Sequence, residues 1–271
     1  MGKQATRKAK QTTELATIDT SIFAEDAGAG VDDLGTDDLS IPFLKILQKM
    51  SDELDSLPDA KAGDIYNTVT KVCVRGAVQV INCAYNLVFV EWEPRGTGSG
   101  APYKIYGPAD VIPETEIGDD NRDMVVGGSG RYLERTAQHY VLIVDEEGGT
   151  QQALLPMKAT QFKKSKGWNS AMRASKMKRP DGSFFTPPRF SHLWSLESVP
   201  EENRNGSWHG WKITKLEAIE DINLYREAKH FAESIATGGV TVKHEQEGGS
   251  AGKAPPVSDT GPLVDDEDIP F

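Results

Sequence analysis

Lys71-Val72-Cys73-Val74-Arg75-Gly76-Ala77-Val78-Gln79-Val80-Ile81 and Tyr85-Asn86-Leu87-Val88-Phe89-Val90-Glu91-Trp92 are β-branched and aromatic, partly alternating, and bounded by Gly, Asn and Pro. Such side chains crowd a helical turn but pack well on a pleated sheet, so two long strands are predicted here. Strand character resumes at about 137–144 and 151–155, then at 183–196 and 207–216. Helical spacing is confined to three places. Phe43, Leu44, Leu47, Met50 and Leu54 predict an amphipathic helix or turn over 43–55. Residues 161–175 lack β-branched side chains and follow an N-cap candidate at Thr160, although Gly167 weakens the middle. Leu224, Ala228, Phe231 and Ile235 mark one face of a helix over 222–236. Many short strands with a helix late in the series predict a mainly β fold with additional helices (α+β); an OB-fold-like antiparallel barrel with insertions fits, and an unrelated α+β domain is the alternative.

The ends of the chain have a different composition. Residues 1–38 read as a flexible N-terminal arm, basic at Lys3, Arg7, Lys8 and Lys10, before a folded domain over 39–237. Gly, Ser, Pro, Lys and acids dominate 238–264, a disordered linker, and an acidic tip occupies 265–271. No run of about 18 apolar residues exists to span a membrane, and MGKQATRKAK has no apolar stretch behind it, which argues against secretion. Cys73 and Cys83 read as buried strand residues in a reducing cytoplasm.

The whole sequence holds 30 Lys+Arg against 41 Asp+Glu, a formal charge of −11, which as a total speaks against nucleic acid. The charge is not evenly spread. From Gly148 to Pro180 there are eight bases and no acid: Lys158, Lys163, Lys164, Lys166, Arg173, Lys176, Lys178 and Arg179. A run of this kind neutralises phosphates and releases their counterions, the main source of sequence-independent affinity. Trp168 lies inside it, and Phe184, Phe185, Arg189, Phe190 and Trp194 follow in strand-like sequence. Flat rings beside bases suit a single-strand platform, because every base has a π face. The candidate strand-binding set is therefore the eight bases with Trp168, Phe185, Arg189, Phe190 and Trp194, extended by Trp92 and Tyr106.

The last residues are Asp265-Asp266-Glu267-Asp268-Ile269-Pro270-Phe271. Acids with a terminal carboxylate suit a basic cleft, Ile269 and Phe271 suit apolar pockets, and Pro270 limits the entropy lost on docking. This ending resembles the acidic tip of bacterial single-stranded DNA-binding proteins, commonly Asp-Asp-Asp-Ile-Pro-Phe, from which it departs by Glu267 and an additional acid. The segment Thr160-Gln161-Phe162-Lys163-Lys164-Ser165-Lys166-Gly167-Trp168-Asn169-Ser170 looks like phage-encoded members of that group, in which an OB-fold is enlarged by insertions and a helix. The resemblance implies a non-enzymatic protein of DNA replication, recombination or repair, working in the bacterial host cytoplasm as a monomer or small homo-oligomer. Asp265 to Phe271 would then contact replication proteins such as a polymerase, helicase, primase or nuclease, and compete with DNA for the basic groove.

Enzyme chemistry finds little footing. The glycine run at 96–100 lacks the Gly-Lys-Ser/Thr ending of a phosphate loop, the five histidines have no metal-ligand spacing, and Asp119, Asp120 and Asp123 read as a solvated turn. No cofactor or metal is expected. Two rival readings are a single-strand annealing mediator that forms rings or filaments, and an adaptor or inhibitor that mimics the host tail without binding DNA.

Overall fold

The chain divides into two units, Met1–Leu39 and Ser40–Phe271. The computed structural model describes residues 41–238, except 95, 98–100, 120 and 205, together with 23, 25–27 and 29–30. Most of the expected N-terminal arm, nearly all of the linker and the whole acidic tip lie outside the described residues. Of the first unit, Phe23 and Glu25 are helical. Everything below concerns the second unit.

Thirteen strands and three α-helices are described there, with short 3-10 turns at Ala159–Gln161 and Arg189–Ser191. They run β1 (Leu44–Ile46), α1 (Glu53–Ser56), β2 (Ile65–Asn67), β3 (Cys73–Val74), β4 (Ala77–Trp92), β5 (Lys104–Tyr106), β6 (Thr115–Ile117), β7 (Asp123–Val125), β8 (Tyr132–Val144) and β9 (Thr150–Lys158). Then come α2 (Phe162–Ala174), β10 (Met177–Lys178), β11 (Phe184–Phe185), β12 (His192–Asn203), β13 (Gly206–Ala218) and α3 (Ile222–Ala236).

The two predicted long strands are in fact one short strand and one very long one. Gly76 takes φ +97°, a left-handed turn that separates β3 from β4, and β4 then runs 16 residues through the Asn82-Cys83-Ala84 stretch. An irregularity in the pairing with β8 falls between Asn82 and Ala84, and a bulge of this kind bends a strand and increases its twist. The bend lets β4 serve two neighbourhoods along one edge: Ala77–Ile81 pairs with β12, whereas Phe89–Glu91 pairs with β5. Its other edge pairs with β8 along nearly its whole length, and β8 continues to β9. The main order is β13-β12-β4-β8-β9, all antiparallel, with the β6–β7 hairpin attached to the Leu133 end of β8.

The predicted amphipathic helix or turn over 43–55 is corrected at its start. Residues 44–46 are a strand, and only the four residues of α1 are helical. The edge of β9 offers free backbone groups, which Pro42 and Phe43 take: Leu154 N–H donates to the Pro42 carbonyl at 2.8 Å and Phe43 bridges Leu154 in parallel. Satisfying a sheet edge outweighs the weak local helical preference of the segment. β1 then pairs with β2 and β2 with β3, so the curl continues beyond β9.

Two apolar layers result. Inside the curl, Leu44, Ile65, Val80, Val141, Leu155 and Leu196 pack with Trp168, Trp194 and Trp211. On the outer face Ile81, Cys83, Leu142 and Leu154 are covered by Ala228 and Phe231 of α3. That helix starts where predicted, because the Asp221 carboxylate accepts from the N–H groups of Asn223 and Leu224. The seam of the barrel is closed by side chains. Gln48 bonds the His209 backbone of β13, and Gln161 accepts from Trp211 N–H at 2.9 Å. The result is a mainly β, OB-like α+β fold: a curled antiparallel half-barrel with helices and hairpins added.

Candidate nucleic-acid interface

α2 carries the centre of the basic run, and its packing decides which bases are free to meet a ligand. Ser165, Trp168 and Met172 lie at helical spacing and form its buried stripe. Lys163, Lys166 and Arg173 therefore project from the opposite, exposed side. Lys164 is half-buried and ion-paired with Glu201, and burial lowers its pKa. Gly167 sits on the exposed side with open space beside it.

The chain leaves α2 into the β10–β11 hairpin. Its turn is closed by Arg179 N–H to the Ser183 carbonyl at 2.8 Å and by Gly182 at φ +86°. Asp181 bonds the Ser183 N–H and hydroxyl, which lowers its pKa. Lys178 stands directly opposite Phe184, and Met177 opposite Phe185. Directly opposed residues share a face, so Lys178 and Phe184 project together. Phe184 is 68% exposed, the most exposed aromatic ring among the described residues. The Arg179 guanidinium lies 4.7 Å from the centroid of the half-buried Phe185 ring. Lys176 is exposed and donates to Thr186 Oγ1 at 2.7 Å. At the start of α2, Arg135 sits 4.5 Å over the Phe162 ring and Lys166 lies 5.8 Å from it.

Six predicted bases thus remain exposed on α2 and its hairpin: Lys163, Lys166, Arg173, Lys176, Lys178 and Arg179. The rest of the predicted set is placed elsewhere. Trp168 and Trp194 are 2% and 3% exposed, with centroids 5.7 Å apart, and their stacking partners are core side chains rather than bases. Phe190 packs in the outer layer, 5.5 Å from Tyr225 of α3. Tyr106 is sealed by its hydroxyl, which donates to the buried Glu91 at 2.6 Å; that bond, then burial, pushes its pKa up to about 12. Lys158 pairs with Glu134 at 2.9 Å and covers the Trp92 ring at 5.4 Å, so this partly exposed tryptophan already has a cation on its face. Arg189 turns inward, donating to Asn169 at 2.9 Å and Asn82 at 3.3 Å.

Arg189 leads to a buried polar cluster with the outline of a nucleophile site. His139 is fully buried, with Nε2 2.7 Å from Ser165 Oγ and Nδ1 2.8 Å from the Asn82 side-chain nitrogen. Asn82 Oδ1 accepts from Arg189, so its amide N–H faces Nδ1 and the imidazole proton sits on Nε2, donated to Ser165. A base must accept the serine proton, and here the accepting nitrogen points away from it. Burial, and after it the charge of Arg189, lower the His139 pKa to about 3. The cluster anchors α2 to β4 and β8. Among the described residues no group of three or more His, Cys, Asp or Glu could hold a metal ion, and no described helix is long and apolar enough to cross a membrane.

The family model of the Pam3 phage gp34-like proteins matches residues 10–241. The chain belongs to the Pam3 phage gp34-like family. No curated protein and no solved structure matches it. The match covers the whole half-barrel of this gp34-like protein, including α2 and the basic hairpin, and makes it a phage protein.

The candidate set left out three residues of the gp34-like surface: Phe184, read as one of the rings but not carried into the set, Phe162 and Arg135. Strand alternation requires one of Phe184 and Phe185 to face outward but cannot say which. Arg135 meets Phe162 only because β8 and α2 are neighbours in the fold.

Proposed function

We propose that this protein binds single-stranded DNA without sequence preference during phage replication, recombination or repair in the bacterial host cytoplasm. One observation carries the reading: α2 and its hairpin expose six bases, with Lys178 directly opposite the projecting Phe184 ring and no acid between Gly148 and Pro180. Phosphates would lie along Lys163, Lys166 and Arg173, while a base stacks on Phe184 beside Lys178. The OB-like curl supports this reading, as does the resemblance of Asp265 to Phe271 to the acidic tips of bacterial single-stranded DNA-binding proteins. In this reading the tip recruits replication proteins and competes with DNA for the same bases.

The test is a titration of fluorescent single- and double-stranded oligonucleotides at two salt concentrations, with full-length protein and protein lacking 265–271. Salt-sensitive single-strand preference, tightened by the deletion, is the expected result. Absence of binding by both forms would overturn the reading in favour of a tail-mimicking adaptor.

A further inference from the structure

The exposed apolar residues at the other end of the sheet lie in an acidic setting. Residues 107–126 hold six acids and one base. Asp110, Glu114, Glu116, Asp119 and Asp123 are all exposed, while Arg122 lies 4.6 Å over the Tyr132 ring. Among these acids Val111 is 91% and Ile117 68% exposed, with Ile112 and Val126 exposed nearby. Ile117 belongs to β6, the terminal strand of the sheet, whose outer backbone edge carries no strand among the described residues. Exposed apolar groups on an open edge favour a partner.

The complement is present on the same chain. The β10–β11 hairpin projects Phe184 among Lys176, Lys178 and Arg179, and its one acid, Asp181, is engaged by Ser183. The two patches do not share a location. β7 pairs with Leu133, at the near end of β8. The hairpin is rooted at Ser175 and Pro187, which line a small cavity with Trp194, and Trp194 is aligned with Val80 and Ile143 at the far end of β8. Ten residues of strand separate those ends, about 33 Å at the usual rise.

We propose that the acidic β6–β7 insertion of one copy docks on the basic β10–β11 hairpin of a second copy. Because the two surfaces differ and lie at opposite ends of the sheet, the contact is head-to-tail and leaves one free patch at each end, so association continues into chains or rings. The association does not depend on the strand-binding reading. Its release by single-stranded DNA, which would claim the same hairpin, does rest on it.

Sedimentation velocity of the full chain without DNA tests the contact. At low salt the protein forms assemblies that grow with concentration, and high salt disperses them. An insertion variant, Glu116→Lys with Ile117→Ser, and a hairpin variant, Lys178→Glu with Phe184→Ser, are each monomeric, and all four positions are exposed, so circular dichroism stays unchanged. Mixed in equal amounts, the two variants form a dimer and nothing larger, because only one intact pair of surfaces remains. A monomeric wild type, a mixture that stays monomeric, or assemblies that survive the insertion variant but vanish on deleting 265–271 would each overturn the proposal. Adding an oligonucleotide afterwards asks separately whether DNA displaces the contact.

Discussion

The side chain of Gln48 pairs with the backbone of His209 as a strand would: its Oε1 accepts from the His209 N–H and its Nε2 donates to the His209 carbonyl, both at 2.9 Å. One side chain therefore satisfies two backbone groups on the edge of β13. Gln48→Ala leaves both without their partner in a partly buried seam, and a loss of about 2 kcal/mol in unfolding free energy is expected. Gln48→Glu keeps only an acceptor and falls between. Urea denaturation measures both, and an unchanged midpoint for Gln48→Ala would show that the seam contributes nothing.

Gly167 gives the opposite sign. It lies in the middle of α2 with nothing near the position a Cβ would take. Gly167→Ala removes backbone freedom from the unfolded chain without a clash, so thermal unfolding should show a gain of about 1 kcal/mol.

Phe184 and Trp168 separate binding from folding. Phe184→Ser removes an exposed ring and is expected to weaken single-strand binding by about 1–3 kcal/mol while leaving stability nearly unchanged. Trp168→Ala excavates the core and costs about 3–5 kcal/mol of stability instead. Fluorescence anisotropy and chemical denaturation on the two variants check the contrast, and the reverse pattern would return Trp168 to the binding surface.

The bases of α2 are expected to act through salt dependence. Each of Lys163→Ala, Lys166→Ala and Arg173→Ala should flatten the slope of log affinity against log salt by about 0.7 for single strands. Lys164→Ala should change the slope less, because its ammonium group is already held by Glu201.

His139 sets a pH dependence of stability. Its pKa is lowered by burial from the ordinary 6.5 to about 3 in the folded protein, so between those values the unfolded chain binds the extra proton. Stability conferred by the neutral imidazole is complete above the unfolded value and falls as the pH drops toward 3, by about 1.4 kcal/mol per pH unit at most. Denaturation midpoints measured from pH 7 to pH 4 should show this decline, and His139→Gln, which keeps one polar contact, should flatten it.

The sequence alone determined what local chemistry can dictate. The β-branched runs made β4, β8 and β9 legible, and the Leu224, Ala228, Phe231 and Ile235 spacing marked α3 almost to the residue. The acid-free stretch from Gly148 to Pro180 located the basic surface, because charge density needs no knowledge of contacts. Three things depended on tertiary structure. Leu44 and Ile46 became a strand because β9 had an edge to satisfy. Trp168 and Trp194 became core because α2 packs its Ser165, Trp168 and Met172 stripe against β8, β9 and β13, a placement that no period reveals. Phe184, rather than its neighbours, became the exposed ring because the register of a two-residue hairpin turned Phe185 under Arg179. Propensity and charge belong to a segment, whereas burial belongs to what the rest of the chain places against it.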